Sequence, residues 1–212
     1  MSQRFGRVAV VGAPNAGKST LVNALVGQKV GIVTPKAQTT RTRLMGIALE
    51  GEAQILLIDT PGLFEPRRRL DRAMVAAAWG SAQDADLIAL VVDSASGLTR
   101  GLGATLERLR ERREPRLLVL NKIDLVRKDA LLALAAEFNA RAPFEETFMI
   151  SAASGDGVAD LKHWLAGRVP DGPWHFPEDQ VSDVTDRMLA AEITREQLYL
   201  QLHAELPYDS AI

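Results

Sequence analysis

The sequence predicts an α/β fold whose core is a mostly parallel, six-stranded sheet with helices on both faces. Short apolar runs alternate with helical patterns, which is typical of parallel strands joined by helices. A glycine-rich loop follows the first apolar run, at the position where open sheets of this kind bind ligands. Only the link Glu50 to Ala53 joins the second and third runs, and it is too short to contain a crossover helix. One edge strand is therefore expected to be antiparallel.

The predicted elements follow one another in a regular order. Strands are expected in the mostly apolar segments 7–11, 42–49, 54–59, 87–93, 116–120 and 146–150. Helices are expected at residues 18–26, 70–83, 102–113, 129–140 and 158–168. Pro170 and Pro173 enclose a glycine and stop the last of these helices, so residues 170–182 are predicted to be a linker. Residues 183–206 are predicted to form one long helix, capped near Ser182 or Asp183.

The composition is that of an ordinary globular protein. Apolar residues make up 47% of the 212 residues and charged residues 25%. The chain contains no cysteine, which excludes disulfides and thiolate metal sites. No stretch approaches about 18 apolar residues and the N-terminus lacks the apolar run of a signal peptide, so a cytoplasmic protein without a transmembrane segment is expected. The net charge of −2 provides no general attraction to nucleic acid.

The loop after the first strand fits the phosphate-binding pattern G-x-x-x-x-G-K-[ST]. Its backbone N–H groups converge at the N-terminus of a helix, where the helix dipole favours an anion. Lys18 is expected to reach the β- and γ-phosphates of a nucleoside triphosphate, and the Ser19 hydroxyl is expected to bind Mg²⁺. The predicted nucleotide contacts of this loop and of the residue after it are Gly12, Ala13, Pro14, Asn15, Ala16, Gly17, Lys18, Ser19 and Thr20.

A second motif, Asp59-Thr60-Pro61-Gly62, follows the third predicted strand. The Asp59 carboxylate at a strand end can hold Mg²⁺ through water. Gly62 lets its backbone N–H approach a γ-phosphate, and Thr60 and Pro61 complete the contact segment. The alternative is a plain type II turn, because Pro-Gly is a favoured pair in such turns. The phosphate loop upstream favours the nucleotide interpretation.

Two further motifs indicate which base is bound. Asn121-Lys122-Ile123-Asp124 follows the fifth strand, and Ser151-Ala152 follows the sixth. The Asp124 carboxylate can accept hydrogen bonds from N1–H and the exocyclic amine of guanine, and adenine has no donor at the equivalent ring nitrogen. Asn121 can hold the loop, the Lys122 stem can cover the purine plane, and Ser151-Ala152 can offer a backbone N–H to guanine O6. The four-residue motif from Asn121 to Asp124 argues against the main enzymatic alternative, a nucleotide kinase.

In order and spacing, these motifs resemble the GTPase superfamily over about residues 5–169. The resemblance implies a Ras-like P-loop GTPase domain that binds GTP or GDP with Mg²⁺. It also implies that a threonine of the loop before the second strand binds Mg²⁺ and senses the γ-phosphate. Thr40 is preferred for this role and Thr39 is the alternative. Lys18, Thr40 and Gly62 are the expected catalytic residues.

Leu63 occupies the position where Ras-like GTPases have a glutamine that orients the attacking water. Leucine cannot make that hydrogen bond, so the chain resembles the GTPases with a hydrophobic residue there. In that group an asparagine at the position of Asn15 is associated with a potassium ion beside the phosphates. Such a cation can neutralise charge that develops in the transition state. The alternative is that Asn15 only closes the loop.

Other segments resemble the Era family, bacterial GTPases of small ribosomal subunit assembly. They are Gln38 to Arg41, Phe176 to Gln180, Ala190 to Ile193, Arg195-Glu196 and Glu205 to Tyr208. In this family a type II KH domain binds small-subunit rRNA. Residues 183–212 are expected to be its N-terminal fragment, because no GxxG loop follows. The resemblance further implies peripheral association with the inner membrane face. The functional alternative is a ribosome- or RNA-binding module that GTP controls, from another GTPase family with a hydrophobic residue in place of the glutamine. In that case GTP turnover serves only as a timer.

Overall fold

Six strands form a single sheet in the computed structural model, which describes residues 2–31, 44–60, 80, 84–182, 190, 191, 193, 194, 196 and 197. The strand order is β2-β3-β1-β4-β5-β6. Strand β2 is antiparallel to β3, and the remaining neighbours are parallel. The predicted sheet, with one antiparallel strand at its edge, is therefore confirmed.

The described strands are β1 (Arg4–Gly12), β2 (Leu44–Glu50), β3 (Ala53–Asp59), β4 (Leu87–Asp93), β5 (Arg116–Asn121) and β6 (Glu146–Met149). The helices with described bounds are α1 (Lys18–Val26), α2 (Arg100–Glu111), α3 (Lys128–Arg141) and α4 (Val158–Arg168). A short 3₁₀ helix, Ile123–Leu125, follows β5. Strand β4 and helices α1 and α4 have the predicted bounds, and the other described strands and α-helices differ from the prediction by a few residues at their ends.

The central strands are buried on both faces, which explains why they are apolar without alternation. On one face Val8 and Val10 of β1 pack with side chains of α1 and α4. On the other face Ala9 and Val11 pack with side chains of α2 and α3. The helices therefore hold β1 in the middle of the sheet, and the loop that follows β1 emerges from a rigid support.

Two predicted bounds differ for physical reasons. Strand β1 begins at Arg4 rather than at residue 7, because Arg4 pairs with Ala53 of β3. Helix α2 ends at Glu111 rather than at residue 113, because the backbone of Arg112 is extended, with φ −85° and ψ 152°. The predicted helix 70–83 lies outside the described residues except for Gly80, which is helical. Of the predicted helix 183–206, the described residues from 190 to 197 are helical.

The predicted linker, residues 170–182, packs against the sheet along its described length. The N–H of Phe5 donates to the carbonyl oxygen of Pro170 over 3.0 Å, and the Phe5 ring stacks on His175 at 3.8 Å between centroids. Gln54 of β3 is fully buried beneath the segment. Its amide donates to the carbonyl of Phe176 over 2.9 Å and accepts the N–H groups of His175 and Phe176. We call residues 170–182 the strap.

The far end of the strap reaches β2, since Ile47 donates its backbone N–H to the carbonyl of Val181 over 2.8 Å. Beyond the strap, Glu196 is buried and forms an ion pair with Lys29, which follows α1. This ion pair therefore ties the described residue Glu196 to the loop that follows α1. The domain boundaries at 169 and 182 stay predictions.

Candidate functional site

The predicted motifs converge at one edge of the sheet, where the parallel strands end. Val10 of β1 pairs with Asp59 of β3, and Gly12 pairs with Val91 of β4. Asp93 at the end of β4 pairs with Asn121 at the end of β5. The loops after these strands therefore face a common space, which is the position of ligand sites in open α/β sheets.

The phosphate loop has backbone positions that a side chain would obstruct. Gly12 has φ 153°, and a Cβ there would lie 2.2 Å from the carbonyl oxygen of Val91. Gly17 has φ 93°, and a Cβ there would lie 2.2 Å from the Asn121 amide nitrogen. Asn15 adopts the left-handed region at φ 61°, which asparagine tolerates better than most residues. The absence of a side chain at Gly12 and Gly17 thus lets the loop pack closely against β4 and against the loop after β5.

Lys18, the first residue of α1, is a buried cation. Its side chain is only 7% exposed, and its ammonium donates to the Ala13 carbonyl of the same loop over 2.9 Å. Burial lowers the pKa of the Lys18 ammonium below its usual value, and the charge of Asp59 opposes that shift. A buried cation gains from a nearby anion, so the electrostatics of this loop favour a phosphate group.

Ser19 and Asp59 meet behind the loop. The Ser19 hydroxyl donates to a carboxylate oxygen of Asp59 over 2.6 Å, and Asp59 is 1% exposed. A hydroxyl and a carboxylate are the hard oxygen ligands that Mg²⁺ prefers, and this ion usually takes few protein ligands beside phosphate oxygens. Among the described residues, no group of three or more His, Asp or Glu side chains is arranged so that it could hold a metal ion. These two residues therefore fit a Mg²⁺ ion.

Thr60 is placed differently from its neighbours in the motif. It is fully buried, and its hydroxyl donates to the carbonyl of Val10 over 2.9 Å. That side chain fastens the end of β3 to β1, which leaves the backbone as the part of Thr60 that can face a nucleotide.

Asn121 joins three of the predicted motifs. Its amide nitrogen donates to the carbonyl of Ala16 in the phosphate loop over 2.9 Å. Its amide oxygen accepts the N–H of Ala152 over 2.9 Å, and its backbone carbonyl accepts the N–H of Ser94 over 3.0 Å. Because Asn121 is only 2% exposed, these bonds are protected from water. Asn121 therefore sets the spacing between the phosphate loop and the predicted base site.

Lys122 and Asp124 lie at the rim of the same space. Lys122 has a left-handed backbone, φ 62° and ψ 41°, and its ammonium donates to Asp93 over 2.7 Å. Asp124 lies in the 3₁₀ helix with its side chain exposed, and within the described part of the chain its carboxylate accepts no hydrogen bond. Asp124 is thus available to a ligand, as a base-reading residue must be.

The backbone N–H groups of Ser151 and Ala152 already have protein acceptors. Ser151 donates to the carbonyl of Asp156 over 3.0 Å, and Ala152 donates to Asn121. A guanine O6 would therefore share or displace the bond from Ala152 in order to receive a backbone N–H there.

Some predicted residues lie outside the described part of the chain, namely Thr39, Thr40, Pro61, Gly62 and Leu63. Conversely, the structure adds Asp93 to the site, which the sequence motifs missed. A signal was present, because Asp93 ends a buried apolar strand just as Asp59 does. The described part of the chain includes no helix with the length and apolarity needed to cross a membrane.

Comparison with known proteins shows which family this chain resembles. A family model described as "50S ribosome-binding GTPase" matches residues 7–122. The chain is 61% identical to GTPase Era of Dinoroseobacter shibae, over 99% of this chain and 69% of that protein. Identity to GTPase Era of Brucella suis is 58%, over 99% of this chain and 67% of that protein.

Solved structures show the same relationship. Era in complex with MgGDPNP and nucleotides 1506–1542 of 16S ribosomal RNA is 37% identical, with a TM-score of 0.90 over 97% of this chain and 70% of that one. A variant of Aquifex aeolicus Era bound to GDP and AlF4⁻ is 38% identical, with a TM-score of 0.89 over the same shares. With its motifs in order at one sheet edge and this similarity along nearly its whole length, the chain belongs to the Era family of GTPases.

Proposed function

We propose that this chain binds GTP with Mg²⁺, hydrolyses it to GDP and phosphate, and thereby acts as the switch of a protein that binds small-subunit rRNA during ribosome assembly. The observation that carries the proposal is the meeting of the buried Lys18, the Ser19–Asp59 pair and the open carboxylate of Asp124 at one sheet edge. Era relatives with bound MgGDPNP and with GDP and AlF4⁻ support the choice of ligand. The alternative of another GTPase family is disfavoured by the Era match over 99% of the chain.

Each part of the site has a distinct task in this proposal. The backbone of Gly12 to Ser19 and the Lys18 ammonium hold the phosphates. Ser19 and Asp59, together with Thr40, hold Mg²⁺, which when bound neutralises charge between the β- and γ-phosphates. Asp124 accepts from the guanine edge, and Lys122 covers the face of the base. The backbone of Gly62 contacts the γ-phosphate.

Hydrolysis is expected to be slow, because Leu63 cannot orient a water molecule. An intrinsic turnover on the order of 10⁻⁴–10⁻² s⁻¹ is the range of GTPases without a trans-acting partner. We further propose that a potassium ion near Asn15 supplies part of the missing charge. The left-handed backbone of Asn15 offers the simpler reason for an asparagine there, so the two explanations need a direct test.

The potassium proposal predicts faster GTP turnover in potassium than in sodium at matched ionic strength. The measurement is phosphate release under single-turnover conditions, with Asn15→Gly as the comparison variant, because glycine keeps the left-handed backbone and removes the side chain. Selective potassium stimulation that disappears in Asn15→Gly is the expected result. Equal rates in the two salts would leave Asn15 with a purely conformational role.

The ribosomal role is tested by nucleotide-dependent RNA binding. The curated relatives extend beyond the part that this chain matches, and we propose that this further part supplies most of the rRNA contact. A longer protein that includes it should bind the 3′ end of small-subunit rRNA more tightly with a GTP analogue than with GDP, and residues 1–212 alone should bind weakly. Preferential binding to the large subunit, which the family model's description names, would contradict the small-subunit assignment.

A cytoplasmic location and a peripheral association with the inner membrane face remain predictions from the sequence. Cell fractionation tests both of them.

A further inference from the structure

Asp93 ends β4 within a motif-free stretch of sequence, yet it is the ion-pair partner of the predicted base-covering lysine. The ammonium of Lys122 lies 2.7 Å from one carboxylate oxygen of Asp93. The side chain of Asp93 is 19% exposed and that of Lys122 is 31% exposed, so the pair is largely shielded from water. An ion pair in this environment is stronger than one on the open surface.

The second carboxylate oxygen of Asp93 is fixed by the turn that follows β4. It accepts the N–H of Ala95 over 2.9 Å and the N–H of Ser96 over 3.3 Å. The backbone of Asp93 adds two bonds, because its carbonyl accepts the N–H groups of Ser96 and Gly97 at 3.1 Å. The carboxylate therefore has little freedom to move, and it offers Lys122 a fixed point of attachment.

The strand register brings this attachment point to the base site. Asp93 pairs with Asn121, so the end of β4 lies beside the residue that precedes Lys122. The left-handed backbone of Lys122 is unfavourable for a residue with a side chain and persists only where surrounding contacts hold it. The bond to Asp93 is one such contact.

The charge state of Asp93 agrees with this arrangement. Burial by itself would raise its pKa, but the hydrogen bond and charge of Lys122, together with the N–H groups of Ala95 and Ser96, hold the pKa of this carboxyl below its ordinary value. The carboxylate is therefore ionised at neutral pH and pairs with a charged lysine.

We propose that Asp93 is a positioning residue for guanine nucleotides, which anchors the Lys122 ammonium so that the aliphatic stem forms a fixed wall over the purine ring. The inference rests on the proposed function, since it presupposes that Lys122 lies against a bound base. A wall acts on the face of the ring, whereas Asp124 acts on its edge. Loss of Asp93 therefore weakens retention of GDP without changing the choice between guanine and xanthine.

The test is a double-mutant cycle on the rate of GDP dissociation. Asp93→Asn keeps an oxygen for the turn and removes the charge that attracts Lys122, and Lys122→Met keeps an unbranched stem and removes the ammonium. Because a hydrogen bond between charged groups is lost in either case, each variant should release GDP about tenfold faster than the wild type. The double variant should release it no more than about twofold faster than the quicker single variant, since both remove the same contact.

The cycle separates positioning from a merely structural role. If Asp93 only stabilised the turn, the effects would multiply to about 100-fold in the double variant, and that result would overturn the proposal. A changed preference between GDP and xanthosine diphosphate in Asp93→Asn would also overturn it. Lys122→Arg retains a cation that can pair with Asp93, so this variant should release GDP nearly as slowly as the wild type.

Two controls complete the design. Asp86→Asn alters a carboxylate that accepts the N–H of Arg7 over 2.7 Å at the opposite edge of the sheet, and GDP release should stay at the wild-type rate. Thermal unfolding of every variant reports on general destabilisation, and Asp93→Ser, whose hydroxyl still accepts turn N–H groups, replaces Asp93→Asn if that variant does not fold. Failure of the wild type to retain GDP would overturn the proposed function itself, which is a different outcome from additivity in the cycle.

Discussion

The Asp124→Asn variant is expected to lose GTP and to gain xanthosine triphosphate. The carboxylate of Asp124 is exposed at the rim of the site and accepts no hydrogen bond within the described part of the chain, so both of its oxygens are available to a base. Guanine presents two N–H donors on one edge, and an amide in place of the carboxylate leaves one of them facing a donor. Xanthine has a carbonyl at that position, which the amide N–H can satisfy.

Because a site with unpaired polar groups discriminates strongly, the ratio of GTP to xanthosine triphosphate affinity should change by about 10⁴-fold. Isothermal titration of each nucleotide into the protein measures this ratio without a guanine-containing probe, which the variant is itself expected to lose. Asp129→Asn is the matched control, since Asp129 is an exposed carboxylate nearby that pairs with Arg127 over 3.1 Å. Unchanged GTP affinity in Asp124→Asn would contradict the assignment of guanine.

The Asn121→Ala variant is expected to be markedly less stable even without nucleotide. Removal of the amide leaves the carbonyl of Ala16 and the N–H of Ala152 without their partner in a buried region. Each buried polar group without a hydrogen bond costs about 1–3 kcal/mol, so the loss of two partners should lower the free energy of unfolding by about 2–6 kcal/mol. Urea unfolding of the nucleotide-free protein measures this loss.

Asn139→Ala is the control for this prediction. Asn139 also makes two side-chain hydrogen bonds, to the carbonyl of Ala135 and to Thr147, but it is exposed on α3. Water can replace both of its partners, so the change in unfolding free energy should stay within about 0.5 kcal/mol. Equal losses in the two variants would show that Asn121 does not link the motifs in the way that its contacts indicate.

Much of the site could be predicted because it depends on local sequence. The phosphate loop needs glycine where the backbone is left-handed or closely packed, and Gly12 and Gly17 meet that need. Polar residues directly after buried apolar strands identify Asp59 and Asn121, since the carboxyl ends of parallel strands lie at one edge. The short link between the second and third strands, expected to be Glu50 to Ala53 and found to be Gly51 and Glu52, predicts their antiparallel pairing, because it allows no crossover.

The features of the fold and the site that the sequence did not predict depend on contacts between residues far apart in the chain. Asp93 and Lys122 are joined by the pairing of β4 with β5, and no local pattern marks that partnership. The strap had the proline and glycine composition of a linker, yet the buried Gln54 binds it through three hydrogen bonds to His175 and Phe176. Strand β1 extends to Arg4 because β3 and the strap provide partners for that residue.

The sequence by itself therefore determined the fold class, the phosphate loop and the kind of ligand, because these follow from backbone conformation and from the chemistry of single side chains at strand ends. Only the tertiary structure decided that Asn121 connects the phosphate loop to the base site, that Asp93 holds Lys122, and that residues 170–182 pack on the sheet. Hydrogen bonds and ion pairs of this kind form wherever folding places a donor beside an acceptor, and spacing along the chain does not record that placement.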